Sequence, residues 1–192
     1  MRVRTIASLA ILLSLGFPAV AAAPVPRQAP EITIFDRLGQ ETGLSSFKGQ
    51  VVVIEFLLIR CQGCLRMAQT INKLHGEMAG RGFRAIGIVF DDGVSEPVVR
   101  DLVQLLKLNY TVGFATADEV DRYLGREITE RLQVPQMVVI DRAGVIRAQS
   151  RPTGEANLTD ETYLRNLVRA LLDEGMQPDK SEKSTVPPQP SK

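Results

Sequence analysis

Two cysteines, the only ones in this chain of 192 residues, lie two residues apart within residues 59–64 (IRCQGC). A pair at this spacing could close a disulfide, form part of a metal site, or exchange a disulfide with a partner. In the exchange reaction one thiolate attacks a partner disulfide and forms a mixed disulfide, which the second thiol resolves. Cys61 and Cys64 are therefore the first candidates for catalysis.

The metal-site and structural-staple interpretations need features that this sequence does not provide. A structural zinc site needs four ligands, usually a second cysteine pair or two histidines. The chain has no other cysteine and a single histidine, His75. A disulfide that spans two residues closes a very short loop and gains little from chain entropy. We therefore interpret the pair as a redox dithiol and expect no metal or cofactor.

The segments on either side of the cysteines predict the elements that hold them. Residues 51–59 (VVVIEFLLI) are the β-branched and apolar run of a central strand buried on both faces. After the cysteines, apolar residues recur at helical spacing to about residue 79, which predicts a strand, the cysteines and then a helix. The recurring residues are Met67, Ile71, Leu74 and Met78.

The start of a helix favours a thiolate, because it carries a partial positive charge and free N–H groups. We expect a lowered pKa for Cys61, which lies at the junction of strand and helix. Cys64 lies one turn into the helix and should be more buried and less acidic. Cys61 is then the attacking residue and Cys64 the resolving one.

Glu55 is the one ionisable residue within the run of residues 51–59. A carboxylate buried there without a partner would be costly, and desolvation would raise its pKa. Cys64 must lose a proton when it resolves the mixed disulfide, so a nearby base would help. We predict Glu55 as that proton relay. The alternatives are that Glu55 faces water at the strand end or pairs with a basic residue elsewhere in the fold.

The remaining elements predict an α/β domain with a mixed sheet and helices on both faces. Alternating residues before a turn glycine predict an edge hairpin over residues 31–40, and residues 83–90 complete a βαβ unit. The helix after Ser95 should bury an apolar stripe. That stripe consists of Val98, Leu102, Leu105 and Leu106. Further elements are expected as strands at 110–115, 136–140 and 145–148, a helix at 118–132 that could break near Gly125, and a last helix at 160–173.

The ends of the chain differ in composition from its middle. Residues 1–23 have the charged start, apolar run and small residues of a secretory signal, with an uncleaved anchor helix as the alternative. Residues 24–30 contain three prolines and predict an extended linker, and residues 175–192 predict a disordered tail. The folded domain is then expected at residues 31–174. We expect the protein to be periplasmic or secreted, in a compartment where disulfides persist. The net charge of +1, with both signs interspersed, gives no support to nucleic-acid binding.

Residues 61–64 (CQGC), placed after a buried strand and at a helix start, resemble the active site of the thioredoxin superfamily. Flanking segments are similar to the extracytoplasmic TlpA/ResA-like thiol:disulfide oxidoreductases. Residues 31–39 resemble the N-terminal hairpin of that family, and residues 44–53 (LSSFKGQVVV) resemble the segment that leads into its central strand. The stretch of residues 134–144 (VPQMVVIDRAG) resembles the Val-Pro and the strand and turn that follow it.

The resemblance implies a thioredoxin-like fold, a central mixed β-sheet flanked by helices with an N-terminal β-hairpin. It implies that Pro135 is a cis-proline that faces the cysteines and, next to Val134, binds the partner's backbone. Glu55 takes the place of the buried acid of thioredoxin. The implied activity is reduction of disulfides in protein substrates, with a membrane electron donor that restores the dithiol.

Three residues near the cysteines depart from the family pattern and leave the redox potential and substrate preference open. Arg60 stands in place of Trp, Gly63 in place of Pro, and Gln136 in place of Thr. One alternative is a peroxiredoxin-like peroxide reductase, which would need a hydroxyl residue and a proline just upstream, where residues 56–60 (FLLIR) have neither. Another is a copper-binding or copper-delivery module that uses the dithiol as a soft ligand.

Overall fold

The computed structural model describes residues 23–126, 129, 131–154 and 157–174. Apart from Ala23, the predicted signal at 1–23 and the predicted tail at 175–192 lie outside these residues. Within the described part of the chain, no helix combines the length and apolar character needed to cross a membrane.

The described residues form one mixed sheet of eight strands with four α-helices packed on it. The strand order is β1-β8-β7-β4-β5-β6-β2-β3. The strands are β1 (Arg27–Gln28), β2 (Thr33–Asp36), β3 (Glu41–Gly43), β4 (Val51–Leu57), β5 (Phe83–Val89), β6 (Thr111–Phe114), β7 (Gln136–Ile140) and β8 (Val145–Gln149). The α-helices are α1 (Gln62–Met78), α2 (Glu96–Leu106), α3 (Ala117–Leu124) and α4 (Glu161–Glu174). The predicted α/β class is confirmed.

Strand β4 lies in the middle of the sheet. It pairs in parallel with β5, where Glu55 lies opposite Gly87, and antiparallel with β7, where Glu55 lies opposite Met137. All seven residues of β4 are buried, because the sheet is covered on both faces. Helix α1 connects β4 to β5, which confirms the predicted βαβ unit.

The alternation of side chains along β4 separates the interior into two cores. Val53 and Leu57 point to a core with residues from α1, α2 and α4, whereas Ile54 and Phe56 point to a core with residues from α3. Cys64 belongs to the first of these cores. The face of β4 that carries the odd-numbered residues is therefore the face toward the cysteines.

The stripe predicted for α2 is wrong at two of its four positions. Val98 and Leu105 are 38% and 77% exposed, whereas Leu102 is buried and Leu106 half-buried. The buried face is centred on Val99, and successive helical residues are rotated by about 100°. Val98 and Leu105 are therefore turned away from the sheet.

The two edges of the sheet explain the outer segments. The predicted edge hairpin is present as β2 and β3. At the other edge, β1 lies within the segment predicted as a linker and pairs antiparallel with β8. The guanidinium of Arg27 in β1 also donates a hydrogen bond to the Tyr123 carbonyl at 3.0 Å. Proline is compatible with an edge strand, which explains how a proline-rich stretch joins the ladder. Helix α3 ends before Gly125, whose φ is +67°. The prediction of helix as far as residue 132 is wrong at residues 131 and 132, which are not helical.

Candidate active site

Cys61 and Cys64 lie at the N-terminus of α1 and form a disulfide with each other. Cys61 is the N-cap residue, and its Sγ accepts a hydrogen bond from the Cys64 N–H at 3.1 Å. Their Cα atoms are 5.2 Å apart. Cys61 is half-buried and Cys64 fully buried. The exposure of the two sulfur-bearing residues thus matches the roles of attacking and resolving cysteine.

The helix start supplies the electrostatics that a reactive thiolate needs. The N–H groups of the first helical turn have no partner within the helix and carry the positive end of its dipole. In the reduced protein, the Cys64 N–H that now donates to Cys61 Sγ would donate to a Cys61 thiolate. No acidic residue lies in the first turn of α1 to oppose this effect.

The loop between β4 and α1 is held by a carboxylate that sequence reasoning missed. The Ile59 N–H donates to Asp91 Oδ2 at 2.9 Å, and the Cys61 N–H donates to the Leu58 carbonyl at 3.1 Å. Asp91 follows β5, the parallel neighbour of β4. Because the carboxyl ends of parallel neighbours lie at the same sheet edge, an acid just after the second buried strand was the available signal.

A second segment approaches the disulfide from the start of β7. The Val134-Pro135 peptide bond is cis, which confirms the expectation from the family resemblance. The Val134 carbonyl oxygen lies 3.8 Å from Cys61 Sγ. Cys61, Val134 and Pro135, which are far apart in sequence, are thus brought together.

Gln136 holds the segment before β7 in place through side-chain hydrogen bonds. It is 1% exposed, and its Nε2 donates to the carbonyl oxygens of Gln133 at 2.6 Å and Arg151 at 3.0 Å. The Gln133 N–H in turn donates to the Pro152 carbonyl at 2.9 Å. The residues before β7 are therefore tied to the residues after β8.

Glu55 is completely buried in the middle of the sheet, on the β4 face toward Cys64. Neither carboxyl oxygen has a hydrogen-bond partner within the described residues. The alternatives of a water-facing carboxylate and an ion pair are therefore not observed there. An unpartnered carboxyl in an apolar core is unfavourable when charged, so its presence needs an explanation.

Burial raises the pKa of Glu55 well above its ordinary value. The pKa of Tyr110 is raised well above its usual value too, first by its own burial and second by the charge of Glu55. The Tyr110 hydroxyl packs against α1 and donates a hydrogen bond to the Ala68 carbonyl at 3.5 Å. A carboxyl with a raised pKa can exchange a proton closer to neutral pH than an ordinary glutamate.

His75 lies far along α1, with its Nδ1 2.9 Å from Asn109 Oδ1. The described part of the chain contains no cluster of three or more His, Cys, Asp or Glu side chains that could hold a metal ion.

The model of one protein family, the AhpC/TSA family, matches residues 25–149, which include both cysteines, Glu55 and Pro135. The chain belongs to the AhpC/TSA family. Among curated relatives of this family member, the chloroplastic peroxiredoxin Q of Suaeda salsa is 31% identical over 121 residues, or 62% of this chain and 55% of that protein. The chain thus spans about half the length of the curated relatives it matches.

Solved structures show the fold of this AhpC/TSA member. The thioredoxin domain of a thiol-disulfide oxidoreductase from Bacteroides vulgatus is 22% identical and covers 78% of this chain and 99% of its own, with a TM-score of 0.63. A secreted thiol-disulfide isomerase from Corynebacterium glutamicum is 22% identical and covers 76% and 86%, with a TM-score of 0.64. The predicted thioredoxin-like fold and the resemblance to the thioredoxin superfamily are confirmed.

Proposed function

We propose that this AhpC/TSA member is an extracytoplasmic thiol:disulfide oxidoreductase that reduces disulfides in partner proteins. The observation that carries the proposal is the disulfide at the start of α1, with Cys61 half-buried and Cys64 buried behind it. A partly exposed attacking thiol and a protected resolving thiol are what a two-step exchange requires.

In the first step, the Cys61 thiolate attacks one sulfur of the partner disulfide. A bond forms between Cys61 and that sulfur, and the other partner sulfur leaves as a thiolate that takes up a proton. In the second step, Cys64 loses its proton and attacks Cys61 Sγ, which releases the second partner thiol. The partner gains two electrons and two protons, and the protein is left in the disulfide form. A membrane electron donor would then restore the dithiol.

Glu55 accepts the proton of Cys64 in the second step. Two observations support this role: the carboxyl lies on the sheet face toward Cys64, and it has no hydrogen-bond partner of its own among the described residues. A group that is buried without compensation is unfavourable for folding, so a catalytic use explains its presence better than a structural one.

Val134 and Pro135 bind the partner's backbone beside the mixed disulfide. The Val134 carbonyl lies 3.8 Å from the attacking sulfur, and Pro135 lines the surface next to it. A partner chain that reaches Cys61 must therefore pass over these residues.

An extracytoplasmic location is supported by the signal-like residues 1–23 and by the secreted Corynebacterium glutamicum protein of the same fold. A redox dithiol outside the cytosol would act on the disulfides of other exported proteins.

Reduction of insulin by dithiothreitol tests the proposal, with wild type compared with Cys61→Ser and Cys64→Ser. Wild type should accelerate precipitation of the insulin B chain and Cys61→Ser should be inactive. Reduced Cys64→Ser mixed with insulin in the absence of dithiothreitol should accumulate a mixed disulfide visible by mass. Activity unchanged in both variants would overturn the proposal. For a reductant, the equilibrium reduction potential should lie near the value of about −270 mV of thioredoxin rather than about −120 mV.

Peroxide reduction is a second candidate, favoured by the 31% identity to a peroxiredoxin Q. Against it, residues 56–60 just before Cys61 contain no hydroxyl side chain and no proline. Consumption of hydrogen peroxide with a thiol donor distinguishes the candidates. Peroxidase activity that Cys64→Ser retains and Cys61→Ser loses would favour the second one.

A further inference from the structure

A groove of about 290 Å³ lies beside the disulfide, between the first turns of α1 and the start of β7. It extends from Gly63, next to Cys61, toward the segment before α4. A partner chain bound at Cys61 would therefore lie along it. The residues that line the groove are Gly63, Arg66, Met67, Thr70, Pro135 and Thr159.

The floor of the groove is open because Gly63 has no side chain. A Cβ at this position would lie 3.8 Å from Cys61 Sγ, 3.9 Å from Pro135 Cδ and 4.0 Å from Arg66 Nη2. These are ordinary contact distances, so Cys61, Pro135 and Arg66 surround a space the size of a methyl group. A group of the partner that lies over Gly63 is thus in reach of both the sulfur and the guanidinium.

The described residues that line the groove carry one positive charge and no negative charge. Arg66 is the one charged residue among the described residues that line it, and its side chain is exposed. Within the described part of the chain its guanidinium has no ion pair or hydrogen bond. Glu161, the nearby acid at the start of α4, is already bound to Lys73 at 2.8 Å and Arg165 at 2.7 Å. Arg66 is therefore available for a carboxylate from outside.

We propose that this groove binds a partner segment with a carboxylate side chain close to its disulfide, so that acidic disulfide substrates react faster than basic ones. The inference rests on the proposed function and specifies its substrate class. Arg66 forms an ion pair with that carboxylate, and the open floor at Gly63 lets the segment approach the sulfur. An exposed ion pair contributes modestly to binding, so we expect the acidic substrate to react about fivefold faster than the basic one.

Two disulfide-linked peptides test the inference, identical except for Glu or Lys on both sides of the cysteine. The reduced protein is mixed with each peptide without added thiol, and the second-order rate constant is taken from acid-quenched samples. Wild type should react about fivefold faster with the Glu peptide, and Arg66→Glu should reverse the preference. In about 1 M salt the preference of wild type should largely disappear, because charges are then screened within about 3 Å.

Two control variants separate charge at the groove from other effects. Arg37→Glu makes the same change of net charge in the exposed turn between β2 and β3, at the far edge of the sheet. It should keep the preference of wild type. Gly63→Ala should slow both peptides and leave their ratio unchanged, because it narrows the groove without altering its charge.

Equal rates for the two peptides with wild type, or equal shifts for Arg66→Glu and Arg37→Glu, would overturn the inference and leave the proposed function intact. If wild type reduced neither peptide, the proposed function would fail and this inference with it.

Discussion

The sulfur of Cys61 lies 3.8 Å from the carbonyl oxygen of Val134, although the two residues are 73 positions apart in the chain. This proximity joins the start of α1 to the start of β7, the surface that we propose binds a partner. It depends on Gln136, whose amide holds the Gln133 and Arg151 carbonyls.

We predict that Gln136→Leu destabilises the protein by about 1–3 kcal/mol. The substitution keeps the apolar bulk but leaves the Gln133 carbonyl oxygen without its side-chain donor, whereas the Arg151 carbonyl keeps its hydrogen bond from the Gly154 N–H. Urea unfolding of the oxidised protein measures the change. Gln69→Leu on the exposed face of α1 is the control, and it should change stability by less than about 0.5 kcal/mol. Equal stability of the two variants would contradict the role given to Gln136.

Asp91 gives a prediction about the loop that leads to Cys61. In Asp91→Ala the Ile59 N–H loses its acceptor, so the loop should open more often and the amide should exchange with solvent faster. Asp91→Asn keeps an acceptor oxygen in the same place and should preserve the protection of that amide. Hydrogen exchange of the Ile59 amide, followed by NMR, measures both variants. The same exchange rate in wild type and Asp91→Ala would show that Asp91 does not hold the loop.

The sequence predicted those features that local pattern determines. The apolar run of β4 and the helical spacing of Met67 and Ile71 are readable because each depends on one element at a time. The site at the junction of β4 and α1 followed from the same two patterns. The cis bond at Pro135 was predictable only through the family resemblance.

The features that the sequence did not predict depend on several elements at once. Asp91 holds Ile59 only because β4 and β5 are parallel neighbours, and Gln136 holds Arg151 only because the segments before β7 and after β8 meet. The positions of Val98 and Leu105 depend on the rotation of α2 against the sheet, which an apolar count over neighbouring turns does not determine. Long-range geometry of this kind has no short sequence signal.

We predict that Glu55→Leu stabilises the oxidised protein, and that the gain increases with pH. The folded-state pKa of Glu55 is raised, so the folded state binds more protons than the unfolded state between the two pKa values. The contribution of Glu55 to the free energy of unfolding is fully present below the unfolded-state pKa of about 4.3. It is lost as the pH rises toward the folded-state pKa. The advantage of Glu55→Leu should therefore increase by up to about 1.4 kcal/mol per pH unit above pH ~4.3.

Urea unfolding at pH 5 and pH 8 checks this expectation. Glu41→Leu on the exposed strand β3 removes a carboxylate of the same type and is the matched control. A Glu55→Leu variant that is equally stable relative to wild type at both values would show that Glu55 is not buried as a carboxyl.

Glu55→Gln should slow the second chemical step and leave the first unchanged, because only Cys64 needs a base. Gln keeps the shape of the side chain but cannot accept the proton of the Cys64 thiol. A positioned base contributes about 10²–10⁴-fold, so the mixed disulfide should persist about 10²-fold longer at pH 7. As the pH rises the gap should narrow, because a growing fraction of the Cys64 thiol then ionises without help. Stopped-flow release of a chromogenic thiol gives the first step, and quenched samples analysed by mass give the second. Glu41→Gln is the matched control; if its mixed disulfide decays at the same rate as that of Glu55→Gln, Glu55 is not the proton acceptor.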